Sequence, residues 1–285
     1  GLDTFSMVIS QTTVTADVDG TPTEVDAGEL DWVDQKGSAF DDFTAAALPR
    51  GLGVEVIAQT SGSFEGQPAL GGTDGVFYLS VAPGTLGLNF DELDVQQVGS
   101  AVDDSIGSGE VNGASIWLVG SSRSLFSVDF GDLTGAIDPE PELDRQAIDT
   151  KAGFALLYNP SGSLSGAISL NDKSDLTNVE FDSSALVGGQ LIVAGRSFSA
   201  FASEGDSFGQ RGVMARVVFA LRETTDEVSN PKSRLYEEWR VELPDIGSDI
   251  RQLATYRRDK LFALASDSSG VWTIRVYSGD GVALN

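Results

Sequence analysis

Short apolar segments and polar turns alternate along the whole chain, and one arrangement recurs. An apolar strand that ends in a small-residue turn is followed, after a spacer, by a strand anchored on a large apolar residue. Segments rich in Val, Ile, Phe, Tyr and Trp and bounded by Gly, Asp, Ser and Asn are typical of β-strands, and helical periodicity is almost absent. The pattern therefore predicts an all-β chain. The apolar strands lie in 53–62, 116–122, 191–197 and 261–266, the following anchors are Phe77, Phe154, Met214 and Trp272, and Phe5 opens the chain as a further anchor.

The spacing of these anchors predicts a repeat architecture. Successive anchors are 72, 77, 60 and 58 residues apart, which fits a unit of four strands with its connections. Self-similarity at such a period is explained by stacked supersecondary units. We expect one β-propeller domain over 1–285, built from about four to five four-stranded blades that either close by themselves or form part of a larger ring. The predicted units are 3–73, 74–150, 151–211 and 212–270, with an extra closing strand at 271–285.

The order of strands within a unit follows from the same pattern. An aromatic strand, an outer strand, a small-residue strand and an apolar strand succeed one another, and the last two are expected to begin the next blade, because small residues suit a crowded central axis. Polar stretches at 11–28, 128–149 and 223–234 are interpreted as insertions, and 143–152 as a loop rather than a helix. The predicted strands are 76–81, 93–98, 105–111 and 116–120 in one unit, and 213–220, 236–243, 250–256 and 261–265 in another.

Aspartates recur where an outer strand leads into the next inner strand. The segments 37–42 and 99–104 match in spacing, and shortened forms occur at 174–175 and 247–249. One hypothesis is a ring of carboxylates that holds Ca²⁺ or lines a polar site, because hard cations bind several oxygen ligands. The other is that each Asp accepts backbone hydrogen bonds and stabilises the turn, and the recurrence favours it, since every unit needs that geometry. The residues are Asp41, Asp42, Asp103, Asp104, Asp175 and Asp249.

A second candidate for Ca²⁺ is the segment 17–20, which carries Asp17 and Asp19 before a glycine. A calcium loop of the EF-hand type needs further oxygen ligands in register and a glutamate at its twelfth position, and Glu24 comes too early. The segment is therefore interpreted as a loop with alternate aspartates, and a weak Ca²⁺ site stays a hypothesis. No other cofactor is predicted.

The composition removes several kinds of chemistry. The chain has neither cysteine nor histidine, which excludes disulfides, thiolate nucleophiles, His-based metal sites and the Ser-His-Asp arrangement. The acidic pairs Glu237 with Glu238 and Asp138 with Glu140 could in principle serve glycoside hydrolysis, which needs two carboxylates across the scissile bond. Adjacent strand residues point to opposite faces, so Glu237 and Glu238 are poor partners. We predict that the protein is not an enzyme.

Charge is distributed unevenly. The formal net charge is −25, yet residues 211–285 hold 11 Lys/Arg and 11 Asp/Glu, while residues 1–210 hold 7 and 32. Such a surface repels nucleic acid, and no segment approaches the roughly 20 apolar residues of a membrane span. The basic cluster of the chain is interpreted either as a docking patch for the acidic surface of another copy or as a solvated strand edge. It comprises Arg251, Arg257, Arg258 and Lys260.

Four tryptophans lie inside or beside the apolar strands, at positions 32, 117, 239 and 272. Exposed indole rings could stack on sugars. Their recurrence in apolar strands favours packing between blades instead.

Residues 30–80 carry a recognisable sequence pattern. It consists of a tryptophan strand at 30–36, a Gly-Ser turn with Asp41 and Asp42, an apolar strand at 54–57 that runs into a Gly-Ser turn, and an Asp-led strand with Phe77. This pattern resembles the bacterial seven-bladed β-propeller repeat family, often abbreviated SBBP. Later copies depart from it: the Phe strand becomes 212–214 with Met214, and about four units are present where the family name implies seven. The resemblance implies exported or surface-associated scaffolds and binding modules, with no catalytic residues to transfer.

Together these observations predict a non-catalytic structural and protein-interaction scaffold of an exported or cell-surface protein, with further subunits or copies of itself as partners. A carbohydrate-binding or Ca²⁺-dependent ligand-binding module, with polysaccharide as a possible partner, is the alternative, and an accessory domain of a secreted hydrolase is a third. The absence of an initial Met predicts a processed protein or part of a longer one. In an open propeller we expect exposed strand edges at 4–9 and 271–277 that could pair with another chain.

Overall fold

The computed structural model describes thirteen stretches of the chain, which form two compact units, Gly1–Gly99 and Ser100–Asn285. Each unit is built from antiparallel strands, and the described residues include a single short 3₁₀ turn, Phe64–Gly66. The prediction of an all-β chain is confirmed. The described residues are 4–9, 14–18, 21–25, 30–51, 53–81, 95–99, 104–123, 151–159, 164–170, 178–198, 209–222, 232–256 and 259–284.

The first unit contains two strand pairs and one four-stranded sheet, here called the first sheet. Its core forms where alternate residues of two adjacent strands, among them Val56 and Tyr78, pack against Phe64 of the 3₁₀ turn. The predicted insertion 11–28 contains a hairpin, because Val14–Val25 alternates residue types well enough to pair. The strands are β1 (Thr4–Ile9) paired with β4 (Leu30–Lys36), β2 (Val14–Val18) paired with β3 (Thr21–Val25), and the sheet β5 (Asp42–Arg50), β6 (Gly53–Thr60), β7 (Asp74–Val81) and β8 (Gln96–Val98).

The second unit contains three four-stranded sheets, and in each the strand order follows the chain order. In each of these sheets only two or three residues separate the first strand from the second, and such short connections are possible because the strands are antiparallel. The second sheet is β9 (Asp104–Asn112), β10 (Ser115–Ser122), β11 (Ala152–Tyr158) and β12 (Leu164–Ser169). The third is β13 (Val179–Val187), β14 (Gln190–Ser197), β15 (Arg211–Arg222) and β16 (Lys232–Glu242), and the fourth is β17 (Asp249–Tyr256), β18 (Lys260–Ser266), β19 (Trp272–Ser278) and β20 (Ala283–Leu284).

The predicted strands coincide with observed ones within a few residues, including β7, β9, β10, β15, β16, β17 and β18. Each sheet joins the last two strands of one predicted unit to the first two of the next. The expected free edge at 271–277 is covered only in part. The chain turns back and β20 pairs with Val276 and Tyr277, whereas residues 272–275 of β19 have no strand partner on that side among the described residues. Predicted positions 93–94, 128–149 and 223–231 lie outside the described residues, as does all of 143–152 except its last two residues.

In each four-stranded sheet, the hairpin formed by the first two strands carries a β-bulge at the same place. This bulge gives the four sheets a common register. In each, one residue of the first strand has no partner on the second strand, and the second strand carries a small residue beside it. A Cβ on Gly120 or Gly195 would meet the carbonyl oxygen of a bulged first strand, so these positions must stay small. The unpaired residues are Ala45, Gly107, Asp182 and Arg251, and the small residues beside them are Ala58, Gly120, Gly195 and Ala265.

In the second unit, consecutive sheets pack face to face and approach each other closely along their first strands. Gly107 lies against the backbone of Phe181 and Asp182, where an added Cβ would lie 2.6 Å from the Asp182 Cα. The Ser108 and Ser184 hydroxyls form a 2.8 Å hydrogen bond between β9 and β13. Leu253 of β17 donates its N–H to the Ser183 hydroxyl over 2.9 Å. The first strands of the three sheets therefore lie side by side.

Candidate interaction surfaces

The bulge register defines an equivalent face on each sheet of the second unit, here called the forward face. On the second and third sheets this face is buried in the cores shared with the next sheet. Alternate residues of the second and third strands form it, because side chains on a strand alternate between faces. The residues are Trp117, Val119, Ala155 and Leu157 on the second sheet, and Ile192, Ala194 and Met214 on the third.

A glycine on the third strand makes room for the following sheet. A Cβ on Gly153 would meet the ring of Phe181, and a Cβ on Gly212 would lie 2.9 Å from Cγ1 of Ile250 and 2.7 Å from Cδ1 of Leu243. Phe181 and Ile250 occupy the same position in their sheets, one residue before the bulge. Each therefore packs over a glycine of the preceding sheet.

The fourth sheet has Trp272 at the position of these glycines, as the pairing of Ser266 with Trp272 and of Arg196 with Gly212 establishes. Its forward face is apolar like the others, yet it is open: Ile274 is 70% exposed and Trp272 is 47% exposed. The Tyr256 and Phe262 rings pack edge to face, with centroids 6.4 Å apart. Sequence reasoning treated Trp272 as the counterpart of Phe77 and Met214, whereas the register gives that place to Ile274. The signal that could have found this is Gly75, Gly153 and Gly212 recurring before the third-strand anchors.

One of the recurrent aspartates, Asp42, stabilises a turn. Asp42 is buried at the start of β5, and its carboxylate accepts hydrogen bonds from the Ser38 N–H over 2.7 Å and the Ser38 hydroxyl over 3.0 Å. Asp104 is buried at the equivalent place in β9, while Asp41 is exposed. Asp103 and Asp175 lie outside the described residues. The geometry at Asp42 is that of the turn-fixing hypothesis.

Asp249 is displaced by one residue from this series, because the bulge register places Ser248 at the position of Asp42 and Asp104. The Ser248 hydroxyl accepts the Gly212 N–H over 3.0 Å and donates to the Asp245 carbonyl over 2.5 Å. A hydroxyl thus holds this turn. Asp249 instead faces the ionic network between the third and fourth sheets.

That network joins charged residues beside two successive bulges. Arg251 donates to Asp249 over 2.7 Å and lies 3.4 Å from Asp182 of the preceding sheet. Burial raises the pKa of Asp182, although Arg196 and Arg251 oppose the shift. Burial would also raise the pKa of Glu180, but hydrogen bonds from Lys151 and Arg196 outweigh it and lower that pKa. Acidic and basic groups alternate, so the network neutralises itself.

The predicted basic cluster is therefore divided. Arg251 is engaged in the ion pairs with Asp249 and Asp182, whereas Lys260 is exposed at the start of β18. Arg257 and Arg258 lie outside the described residues. Docking of this cluster on another copy stays a prediction.

The acidic pairs and the calcium candidates are also located. Glu237 pairs with Arg240 over 2.5 Å and Glu238 with Arg216 over 3.1 Å, so their carboxylates serve separate ion pairs. Asp17 lies in β2, a strand rather than the predicted loop. Asp19, Asp138 and Glu140 lie outside the described residues, and within the described part of the chain no three acidic side chains form a group that could hold a metal ion.

Two of the tryptophans follow the packing hypothesis. Trp117 is 4% exposed inside the core between the second and third sheets, and Trp239 packs against the core between the third and fourth. Trp272 departs from it, since it is 47% exposed on the forward face of the fourth sheet. For Trp32 only the strand, β4, is described.

In the first unit, Asp74 and Gln97 connect three segments of the chain. Gln97 donates its side-chain amide to Asp74 over 2.7 Å and to the Gly62 carbonyl over 2.8 Å, and it accepts the Phe64 N–H over 3.0 Å. Burial raises the pKa of Asp74 against the hydrogen bonds from Leu70 and Gln97. Sequence reasoning missed this clamp, since a lone glutamine in a short strand carries no pattern.

No family model matches the chain, and no curated protein matches it either. The resemblance to SBBP repeats therefore stays a prediction. None of the helical structure among the described residues has the length and apolar character of a membrane span.

Proposed function

We propose that the four-stranded sheets are blades of a β-propeller, or of an arc of one, in a non-catalytic scaffold and interaction module of an exported or cell-surface protein. The observation that carries the architecture is the bulge shared by all four first hairpins. In the second unit it brings the first strands of consecutive sheets into backbone contact at Gly107. First strands that converge in this way are expected around a propeller axis.

The charged groups support a structural role. Carboxylates such as Glu180, Asp182 and Asp249 are used in ion pairs between or within sheets, and Asp42 in a turn. The chain also lacks the histidine and cysteine side chains that most acid-base and nucleophilic sites use. We assign the interaction role to the exposed loops and faces, and the exported or surface location rests on the SBBP resemblance.

Cryo-electron microscopy of the protein in its native assembly tests the architecture. The expected result is a radial arrangement in which the first strands of the four sheets surround an axis. Sheets stacked in a row, or paired as a sandwich, would contradict the propeller. A panel of polysaccharide substrates tests the non-catalytic assignment, and turnover that is lost when acidic residues are changed to amides would contradict it.

A ligand-binding module for carbohydrate, with or without Ca²⁺, is the second candidate. Phe40 and Phe43 favour it: both are more than half exposed beside the exposed Asp41, an arrangement of ring and carboxylate that suits a sugar. Glycan-array binding with and without Ca²⁺ tests this function. We expect the double substitution F40A/F43A to abolish binding and L70A, an exposed apolar control in the same unit, to leave it unchanged.

A further inference from the structure

We infer that the forward face of the fourth sheet is an interface between two copies of this chain, which pack this face against itself about a two-fold axis. The inference rests on the proposed interaction function and names the surface and the partner. The face is formed by alternate residues of β17–β20, whose side chains point away from the third sheet. Its main apolar residues are Tyr256, Phe262, Leu264, Trp272, Ile274 and Val276.

The composition of this face is that of an interface centre. It carries three aromatic side chains and two β-branched ones, while Lys260 at one end of β18 is its charged residue among those described. Interface centres are enriched in aromatic residues and depleted of charge, whereas isolated exposed apolar residues are scattered. Here exposed residues of neighbouring strands are contiguous.

Trp272 argues against a further sheet packed like the others. Gly153 and Gly212 admit Phe181 and Ile250 of the following sheet, and an added Cβ alone would already collide there. An indole ring at the same position blocks that insertion. A partner surface must therefore lie over the indole ring of Trp272, since nothing can insert between the ring and the β19 backbone. A second, identical apolar face can pack in this way, as in a sheet-on-sheet contact.

The charge distribution favours a second copy. Residues 211–285 hold 11 Lys/Arg and 11 Asp/Glu, whereas residues 1–210 hold 7 and 32. Two copies of a strongly acidic protein repel each other, and contact through the charge-balanced segment meets the least repulsion. The fourth sheet lies within that segment.

The size of the face sets the expected strength. The face is small, because its most exposed side chains are Tyr256, Trp272 and Ile274, whereas a specific interface needs roughly 1,000 Å² in total. We therefore expect a reversible dimer whose dissociation constant lies in the micromolar range, on the order of 1–100 μM.

Sedimentation velocity of the whole chain over this concentration range tests the inference. We expect wild type to form a dimer and I274R to raise the dimer dissociation constant by at least about tenfold. Leu70 is also exposed and apolar but lies in the first unit, so L70R is the matched control and should dimerise like wild type. Circular dichroism and thermal unfolding verify that both variants fold.

A second measurement tests the same interface without an arginine substitution at position 274. Because the chain has no cysteine, I274C can carry one spin label per copy. Packing about a two-fold axis at this face predicts an intermolecular label distance below about 30 Å, since packed sheets lie about 10 Å apart. A wild-type chain that stays monomeric, a dimer unaffected by I274R, or the absence of such a distance would each overturn the inference. The cryo-electron microscopy tests the propeller separately, and a closed ring in which another sheet of the same chain covers this face would also overturn the inference.

Discussion

The forward faces of the third and fourth sheets carry similar apolar residues in the same register, yet only the third is buried. Gly212 on the third sheet lets Ile250 of the next sheet approach, and Met214 beside it is fully buried. The fourth sheet has Trp272 and Ile274 at these positions, and both are exposed. The comparison shows that a covered face goes with a glycine on the third strand and an open face with a tryptophan at the same position.

The largest expected effect comes from placing leucine at the two equivalent positions. G212L should destabilise the protein by at least about 3 kcal/mol, because a larger side chain there collides with Leu243 and Ile250. W272L should change the free energy of unfolding by no more than about 0.5 kcal/mol in the monomer, since the residue is exposed. Urea unfolding of dilute samples measures both. Equal losses would show that the two faces are not different.

Truncation of the neighbouring residues sharpens the same contrast. M214A removes a fully buried side chain and should cost about 2–5 kcal/mol, because it leaves a cavity between the third and fourth sheets. I274A at the equivalent exposed position should cost about 0.5 kcal/mol or less. The difference in urea midpoint between the two variants is the readout. A costly I274A in the monomer would mean that something covers this face in solution.

The free energy of unfolding should depend on pH through the covered interface between the second and third sheets. Burial raises the pKa of Glu110 to about 7 despite a hydrogen bond from Ser184. Because the folded pKa lies above the unfolded value, the stabilisation is complete below about pH 4.5 and is lost as the pH rises through about 7. E110Q should therefore remove up to about 3 kcal/mol of this pH dependence. Urea unfolding at pH 5 and pH 8 measures it, and parallel pH profiles for wild type and E110Q would contradict the prediction.

The smallest expected effect concerns the ion pairs between the third and fourth sheets. R251Q should cost about 0.2–1 kcal/mol, because the Arg251 side chain is almost half exposed and water screens its pairs. A double-mutant cycle with D182N isolates the contact between the two bulges. The coupling should weaken as salt is added. If the coupling energy were absent at low salt, the contact between Arg251 and Asp182 would not stabilise the packing of these sheets.

Much of the strand layout was readable from the sequence because each strand is short, apolar and bounded by turn residues. The predicted strand at 116–120, for example, lies within β10. What was read as a terminal small-residue turn is different: β10 and β14 continue for two residues past Gly120 and Gly195. These glycines are needed beside a bulge. Because glycine is found both in turns and where two backbones approach closely, the sequence could not distinguish the two.

The candidate sites were harder to predict, because their partners are distant in sequence. A recurrent aspartate could be assigned to a turn, as Asp42 shows, but Asp249 was placed one residue out of register. Its partner Arg251 also contacts Asp182, which is 69 residues away. No local sequence pattern predicts such a pairing.

The sequence by itself determined that the chain forms antiparallel strands in repeated four-stranded sheets, because alternation and turn residues act over a few positions. It also determined the charge asymmetry and the absence of cysteine and histidine chemistry. Only the tertiary structure decided which face of each sheet is covered. Apolar residues such as Met214 and Ile274 are equivalent in local pattern, yet Met214 is buried beside Gly212 and Ile274 is exposed beside Trp272.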